Sequence, residues 1–454
     1  MKILIFLDHD IIVRNFVSSG AFRTITRNHD VKFILPEQGH KRLRSNPEDM
    51  NLGAPYEHLK VNTRRHVAWS NWFQVDDLRW RPGAYYKGLR AVRRGALGKK
   101  ASFLFSFFAI PGIFHLFRIH VNYRLKRHQY IGLEKLLDRE KPDILMHPNA
   151  LQGLFLNDLV EQGHKRKIPT VFLMNSWDNP CIKRAVFGNP DWLLVWGPQT
   201  KKHAIRFMGM PEACIPVLGV PQFEIYNEKP RTNREEFCLR HDIDREKTIV
   251  LYAGSSKGAD EYEHLCILDE AIEDGRLPNS VIVYRPHPWG GGGKGGERII
   301  SHDWRHVIIE ETMRAYLESL QDIGFEITSP DYKNTQDVLV SVDCLISPLS
   351  TILLEGALHG LPAACFLPEQ SEDNMFHGLA AQAHFHDIYE SENFVTIRGL
   401  SGLIDGVRKM IKQAGDPEFA GRMKAECQYF VKPFEQPYCD RLDKWLVEKF
   451  LPSF

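Results

Sequence analysis

The sequence predicts an α/β chain folded as two Rossmann-like lobes. Short apolar runs alternate with longer helical patterns, the signature of βαβ units wound on parallel sheets. That alternation occurs twice, on either side of a charged stretch carrying Pro230. The 454 residues are too many for one ordinary core and enough for two, and the 43% apolar share is that of a globular chain.

The first lobe is expected over residues 1–225. Its strands are predicted at Ile3–Leu7, Val31–Leu35, Asp143–Met146, Thr170–Met174, Trp192–Trp196 and Cys214–Leu218. Strands of a parallel sheet are covered on both faces, so they read as unbroken apolar runs rather than alternating ones. Helical patterns fill the gaps, for example Asn122–Arg139 and Leu151–Gln162. Ile3–Leu7 is also too short for the core of a signal peptide, and no small-residue cleavage site follows it. Residues 226–246 read as a linker. The second lobe, 247–435, carries expected strands at Thr248–Tyr252, Ser280–Tyr284, Gly324–Thr328, Cys344–Ser347 and Ala363–Phe366. Within 436–454, Pro437–Phe450 reads as an amphipathic helix that crosses back onto the first lobe.

A formal net charge of +1 gives no global attraction to nucleic acid, which is not an expected partner. The 8 cysteines are irregularly spaced without a CxxC pair, as reduced thiols of a cytoplasmic chain would be. No paired ligand spacing suggests zinc, so neither a metal nor a cofactor is expected. No apolar run of about 20 residues predicts a transmembrane helix.

Three strand exits in the second lobe carry the chemistry. Val281–Tyr284 runs into Arg285-Pro286-His287-Pro288. Ligands of open α/β sheets bind outside the carboxyl ends of the strands. Arg285 offers a planar fork for phosphate oxygens, and His287 can hydrogen-bond a leaving phosphate or carry a proton. Cys344–Ser347 leads through Pro348 and Leu349 to Ser350 and Thr351, then into a helix with Glu355 one turn in. Hydroxyls beside the free N–H groups of a helix start suit an anion, and Glu355 suits a ribose diol. A plain helix cap is the alternative reading of that stretch. The first strand of this lobe exits through Gly254, Ser255 and Lys257, which fits close backbone approach to a phosphate without forming a Walker motif. The run Trp289 to Gly296 reads as a flap over the ligand or a surface loop.

In the first lobe, Asp8, His9 and Asp10 leave the first strand and Arg14 follows. One of the three is the expected base for an acceptor hydroxyl, helix capping being the other use of Asp8 or Asp10. Trp177 and Asp178, followed by Lys183 and Arg184, suit either a sugar pocket or core and turn positions. Residues 85–130 are basic and aromatic: Lys87, Arg90, Arg93, Arg94, Lys99 and Lys100 precede a Phe-rich stretch broken at Pro111-Gly112. That stretch is too short to span a bilayer and predicts a peripheral membrane contact, with a buried helix pair or a protein interface as alternatives.

Several of these motifs, taken together, carry a resemblance. Trp177-Asp-Asn, the stretch Pro190 to Gln199 with its Trp196-Gly197, and Gly219-Val-Pro221-Gln222-Phe223 resemble the end of the first lobe in GT-B transferases. The group concerned is the capsular-polysaccharide and CDP-glycerol-glycerophosphotransferase-like one. Arg285–Pro288 and Ser350, Thr351 and Glu355 are similar to its donor site, and Leu7–Asp10 with Arg14-Asn15 to its first βα turn. The likeness implies an interlobe active site and a metal-independent mechanism. It implies that His287 supports the departing phosphate and that Ser350 and Thr351 contact its oxygens. Pro348-Leu349 departs from the pattern and leaves cytidine and uridine nucleotides both open.

The reading is therefore a glycosyltransferase of surface-polysaccharide assembly, cytoplasmic or peripheral at the inner membrane face. It would move a sugar from a CMP-, CDP- or UDP-linked donor to a hydroxyl of a glycan or lipid-linked acceptor. A CDP-polyol polyolphosphotransferase and a nucleotide-sugar epimerase are the alternatives on the same fold.

Overall fold

The computed structural model describes residues 1–148, 153–182, 188–255, 259–287, 296–315, 331–369 and 374–451. The chain divides into two compact units, Met1–Glu224 with Tyr429–Phe454, and Ile225–Gln428. Among the described residues each holds one six-stranded sheet in which every pairing is parallel.

In the first unit the strands are β1 (Lys2–Phe6), β2 (Asp30–Pro36), β3 (Tyr56–Leu59), β4 (Ile144–His147), β5 (Thr170–Leu173) and β6 (Trp192–Leu194). Their order is β3-β2-β1-β4-β5-β6, so the winding reverses between β1 and β4. The apolar runs make the central strands because both of their faces are covered: Ile3, Leu4, Ile5 and Phe6 are wholly buried. The helix Tyr438–Phe450 returns to this unit and buries Tyr438, Leu442 and Leu446 in the core beside β1 and β2. Asp440 and Asp443 pin it, accepting from Thr24 at 2.6 Å and from Asn28 at 2.9 Å.

In the second unit the strands are β7 (Thr248–Ala253), β8 (Ser280–Arg285), β9 (Val307–Ile309), β10 (Cys344–Ser347), β11 (Ala363–Leu367) and β12 (Val395–Arg398). The order β12-β11-β10-β7-β8-β9 reverses between β7 and β10.

The structure corrects several expectations. Cys214–Leu218 forms no full strand: Glu212–Cys214 is a 3-10 turn, and Val217 makes one isolated bridge to Val195. Three short strands, β3, β9 and β12, were not foreseen. Residues 226–246 are not a free linker but belong to the second unit. Arg231 bonds Asp337 at 3.0 Å, Arg234 bonds Asp343 at 3.0 Å, and Phe237 is buried. The chain re-enters the first unit at Tyr429 rather than at 436. The helical pattern Asn122–Arg139 breaks at His128 between the helices Pro111–Arg127 and Ile131–Glu140. The helix expected from Leu151 begins at Leu156. The strand expected at Gly324–Thr328 lies outside the described residues.

Candidate functional site

Each sheet brings candidate side chains to the point where its strand order reverses, the place where open α/β sheets bind ligands. In the second unit that point is flanked by the exits of β7 and β10, with β8 on the far side of β7.

Ser350 and Thr351 follow β10 and open the helix Ile352–His359. Thr351 holds the N-cap position, yet no side-chain cap bond forms there, so the plain-cap reading does not hold. Both residues are half-buried. The Leu353 and Leu354 amides donate to the Ser350 and Thr351 carbonyls at 3.3 Å and 2.9 Å, so what this helix start offers an anion is its two hydroxyls and the positive end of the helix dipole. Ser347, at the end of β10, is wholly buried, and its Oγ has no partner among the described residues.

At the β7 exit, Gly254 and Ser255 are held by Glu261, which the sequence did not suggest. Its Oε1 accepts from the Ser255 amide at 2.6 Å and its Oε2 from the Tyr284 hydroxyl at 2.6 Å. A Cβ on Gly254 would lie 2.5 Å from Glu261 Oε2, so glycine is required for this closeness. Burial raises the Glu261 carboxyl to about 7, against the hydrogen bonds from Tyr284 and Ser255 that favour its charged form. Its folded value thus exceeds the unfolded one, so its contribution to stability is complete below about 4.5 and lost as pH rises through about 7. We expect Glu261→Gln to flatten the fall in thermal transition between those pH values. Parallel curves for variant and wild type would refute that role.

Arg285 ends β8, where sequence reasoning expected it to meet phosphate. It is 8% exposed and already engaged: Nη1 pairs with Glu310 Oε2 at 2.9 Å and Nη2 bonds Thr335 Oγ1 at 3.2 Å. Its charge is balanced inside the protein, which corrects the expected phosphate fork to a buried support of the strand exit. His287 lies two residues further on and is half-buried. The register pairs Arg285 with Ala253 and Ile346 with Tyr252, which puts the β8 and β10 exits about 10 Å apart, on either side of β7. Glu355 is largely buried and its Oε2 accepts from the Tyr226 hydroxyl, so one of its oxygens is not open to a ribose. Lys257, Pro288 and the glycine run up to 295 lie outside the described residues.

In the first unit the reversal lies between β1 and β4, and it joins Asp8 to a residue that the sequence analysis passed over. His147, the last residue of β4, points Nε2 at Asp8 Oδ2, 3.3 Å away. The same oxygen accepts from the Leu154 amide. Both side chains are 0% exposed, and among the described residues Asp8 Oδ1 and His147 Nδ1 have no partner. Burial pushes the Asp8 carboxyl up, but the charge and hydrogen bond of His147, Arg42 and the Leu154 amide outweigh it and hold it below the usual carboxylate range. A Cβ on Gly153 would lie 2.6 Å from Asp8 Oδ2 and 2.9 Å from His147 Cε1. Gly153→Ala is therefore expected to prise the pair apart, costing about 1–3 kcal/mol of stability. Wild-type resistance to urea in that variant would show that the loop yields freely.

The other first-unit candidates are placed differently. His9 Nδ1 accepts from the Ile11 amide at 3.1 Å and caps the helix, which leaves the ring proton on Nε2 and makes a neutral His9 a donor rather than a base. Burial and Arg42 depress its pKa, against Asp8 and Asp10. Asp10 anchors residues 44–45, accepting from the Arg44 amide at 3.0 Å, the Ser45 amide at 2.9 Å and the Ser45 hydroxyl at 2.7 Å. Both are thereby corrected from base candidates to local supports. Trp177, expected to line a sugar pocket, is 1% exposed, bonds Gln199 at 2.6 Å and packs edge-on against Phe430. It is a core residue. Arg14 bonds Asn15 at 3.1 Å, Asn15 bonds Asn175 at 2.8 Å, Asn175 bonds Asn179 at 3.1 Å, and Asn179 bonds Asp178 at 3.2 Å. That chain ties the turn after β1 to the turn after β5. Lys183 and Arg184 lie outside the described residues.

No protein-family model matches the chain, and no curated protein matches it by sequence. Solved structures do match it. It is similar to a UDP-GlcNAc 2-epimerase from Neisseria meningitidis bound to UDP-GlcNAc, with a TM-score of 0.55 and 11% identity over 99% of this chain and 100% of that one. It is also similar to a glycosyltransferase from Rickettsia africae ESF-5, with a TM-score of 0.50 and 12% identity over 100% and 99%. At these identities the likeness is one of fold. Two units, each a doubly wound parallel sheet, with the last helix returned to the first unit, give this chain the GT-B fold.

Proposed function

We propose that the protein is a nucleotide-sugar-dependent glycosyltransferase serving surface-polysaccharide assembly. The observation that carries the reading is the head of the helix Ile352–His359. There, a Thr351 hydroxyl not spent on capping stands with Ser350 at the positive end of the helix, at the reversal point of the second sheet. A diphosphate is the ligand whose charge suits that cluster. Ser350 and Thr351 bind its oxygens, His287 donates to the departing phosphate, and Glu355 and Lys257 remain candidates for the ribose and the phosphate. Stabilising charge on the leaving group is the main catalytic demand of such a transfer.

In the first unit, Asp8 orients His147 so that Nδ1 is left as the lone-pair nitrogen, the arrangement in which a carboxylate fixes the tautomer of a catalytic imidazole. For His147 to take the proton of the acceptor hydroxyl, Nδ1, which is buried here, has to be uncovered. A buried ring nitrogen without a partner among the described residues is costly, and a catalytic role accounts for it.

The test is a thermal-shift screen with UDP, CDP, CMP and GDP. One of them, at about 100 times its Kd, is expected to stabilise the protein by about 2.7 kcal/mol. Thr351→Val is expected to weaken that response. Indifference to all four nucleotides would end the proposal. An epimerase, with the same fold, would turn over the donor without any acceptor, so omitting the acceptor separates the two activities.

A further inference from the structure

The helices Ala84–Phe108 and Pro111–Arg127 form a hairpin bent by 96°. One face is accounted for: Phe114, Val121 and Leu125 pack with Trp69, Trp72 and Val75 of the helix Thr63–Leu78 in a satellite core. The other face is apolar too. Phe103 is 81% exposed and Leu116 66%, and Leu104, Phe107, Ile110 and Ile119 are exposed around the bend. A contiguous apolar surface of this kind marks an interaction site.

The charge around it has one sign. Between Asp77 and Glu134 the sequence has no acidic residue and twelve Lys or Arg, in a chain of net charge +1. Some of these cations are spent internally, as Arg93 is on Asp77 at 2.6 Å. Lys87, Arg94, Lys99, Lys100, Lys126 and Arg127 are exposed, and among the described residues no carboxylate pairs with them.

We propose that this hairpin docks the protein on an anionic phospholipid bilayer. The cations meet the headgroups, and the apolar bend enters the boundary between headgroups and acyl chains. Exposed Leu and Ile side chains at the bend favour lipid over nucleic acid, which has no use for aliphatic surface. Docking differs from spanning. No single helix among the described residues is long and apolar enough to cross a membrane. The cation-free arms Ala101–Phe108 and Pro111–Phe117 reach about 12 Å and about 10 Å, against roughly 30 Å of hydrocarbon.

The experiment is co-sedimentation of the full chain with phosphatidylcholine vesicles, with and without phosphatidylglycerol. Binding is expected with phosphatidylglycerol, weakening at high salt. Lys99→Gln with Lys100→Gln is expected to lower affinity roughly fivefold per charge. A Phe103→Ser, Leu104→Ser, Phe107→Ser variant is expected to lose at least about tenfold, with an unchanged thermal transition because these sites are exposed. Failure to sediment with phosphatidylglycerol vesicles overturns the proposal. So does a concentration-dependent dimer, abolished by the triple variant, in a protein that ignores vesicles. Oligonucleotide binding that is retained in the triple variant, without vesicle binding, overturns it equally.

Discussion

An Arg285→Ala variant is expected to lose about 3–5 kcal/mol of stability in the second unit. The change does not simply delete a contact. It leaves the Glu310 carboxylate, 3% exposed, without the guanidinium that sits 2.9 Å from it. Glu310 also accepts from the amides of Thr312 and Met313 at 3.1 Å each, so the segment after β9 is held through the same group. In a unit of this size the loss corresponds to a drop of about 6–20 °C in thermal transition. Arg285→Met combined with Glu310→Met removes both charges and is expected to recover most of it, because a buried pair replaced by apolar groups of similar volume is often neutral. Differential scanning calorimetry of the three proteins decides the matter. An Arg285→Ala transition within about 2 °C of wild type would mean that the pair is not buried in solution. The same reasoning bears on nucleotide binding: its loss in Arg285→Ala would reflect a collapsed strand exit, which makes Thr351→Val the cleaner probe of the anion site.

The central strands were legible because covering both faces of a parallel strand requires an unbroken apolar run, as in Ile3–Phe6 or Val281–Tyr284. The three strands that escaped are all sheet edges. Tyr56–Leu59 keeps Tyr56 and His58 exposed, and Val395–Arg398 alternates, since an edge needs far less apolar surface. The supposed linker failed for a different reason. Arg231 and Arg234 look solvated in the sequence, but their partners, Asp337 and Asp343, lie about a hundred residues away. The site divides along the same line. Ser350 and Thr351 were legible because strand, loop and helix are contiguous in the chain. His147 was not, although it directly follows a predicted strand, because its meaning lies in β4 pairing with β1 and so meeting Asp8. Glu261 was missed likewise: its importance is in whose amide and hydroxyl it holds.

That tertiary pairing carries the second large effect. His147→Gln is expected to lower turnover by roughly 10²–10⁴-fold, the usual range for a lost general base. Asp8→Asn is expected to fall comparably, because an amide no longer fixes the imidazole tautomer. Neither substitution touches the second unit, so affinity for the nucleotide that stabilises the wild type is expected to stay unchanged, which also shows that the variants fold. A purely structural pair would behave otherwise, lowering stability while the surviving folded molecules kept their rate and their pH profile. The informative measurement is therefore kcat per folded molecule across pH. Lost turnover per folded molecule in His147→Gln marks the base, and wild-type turnover in that variant removes His147 from the mechanism. Full activity in Asp8→Asn with none in His147→Gln would leave the imidazole as base and reduce Asp8 to a buried tether for the Leu154 amide.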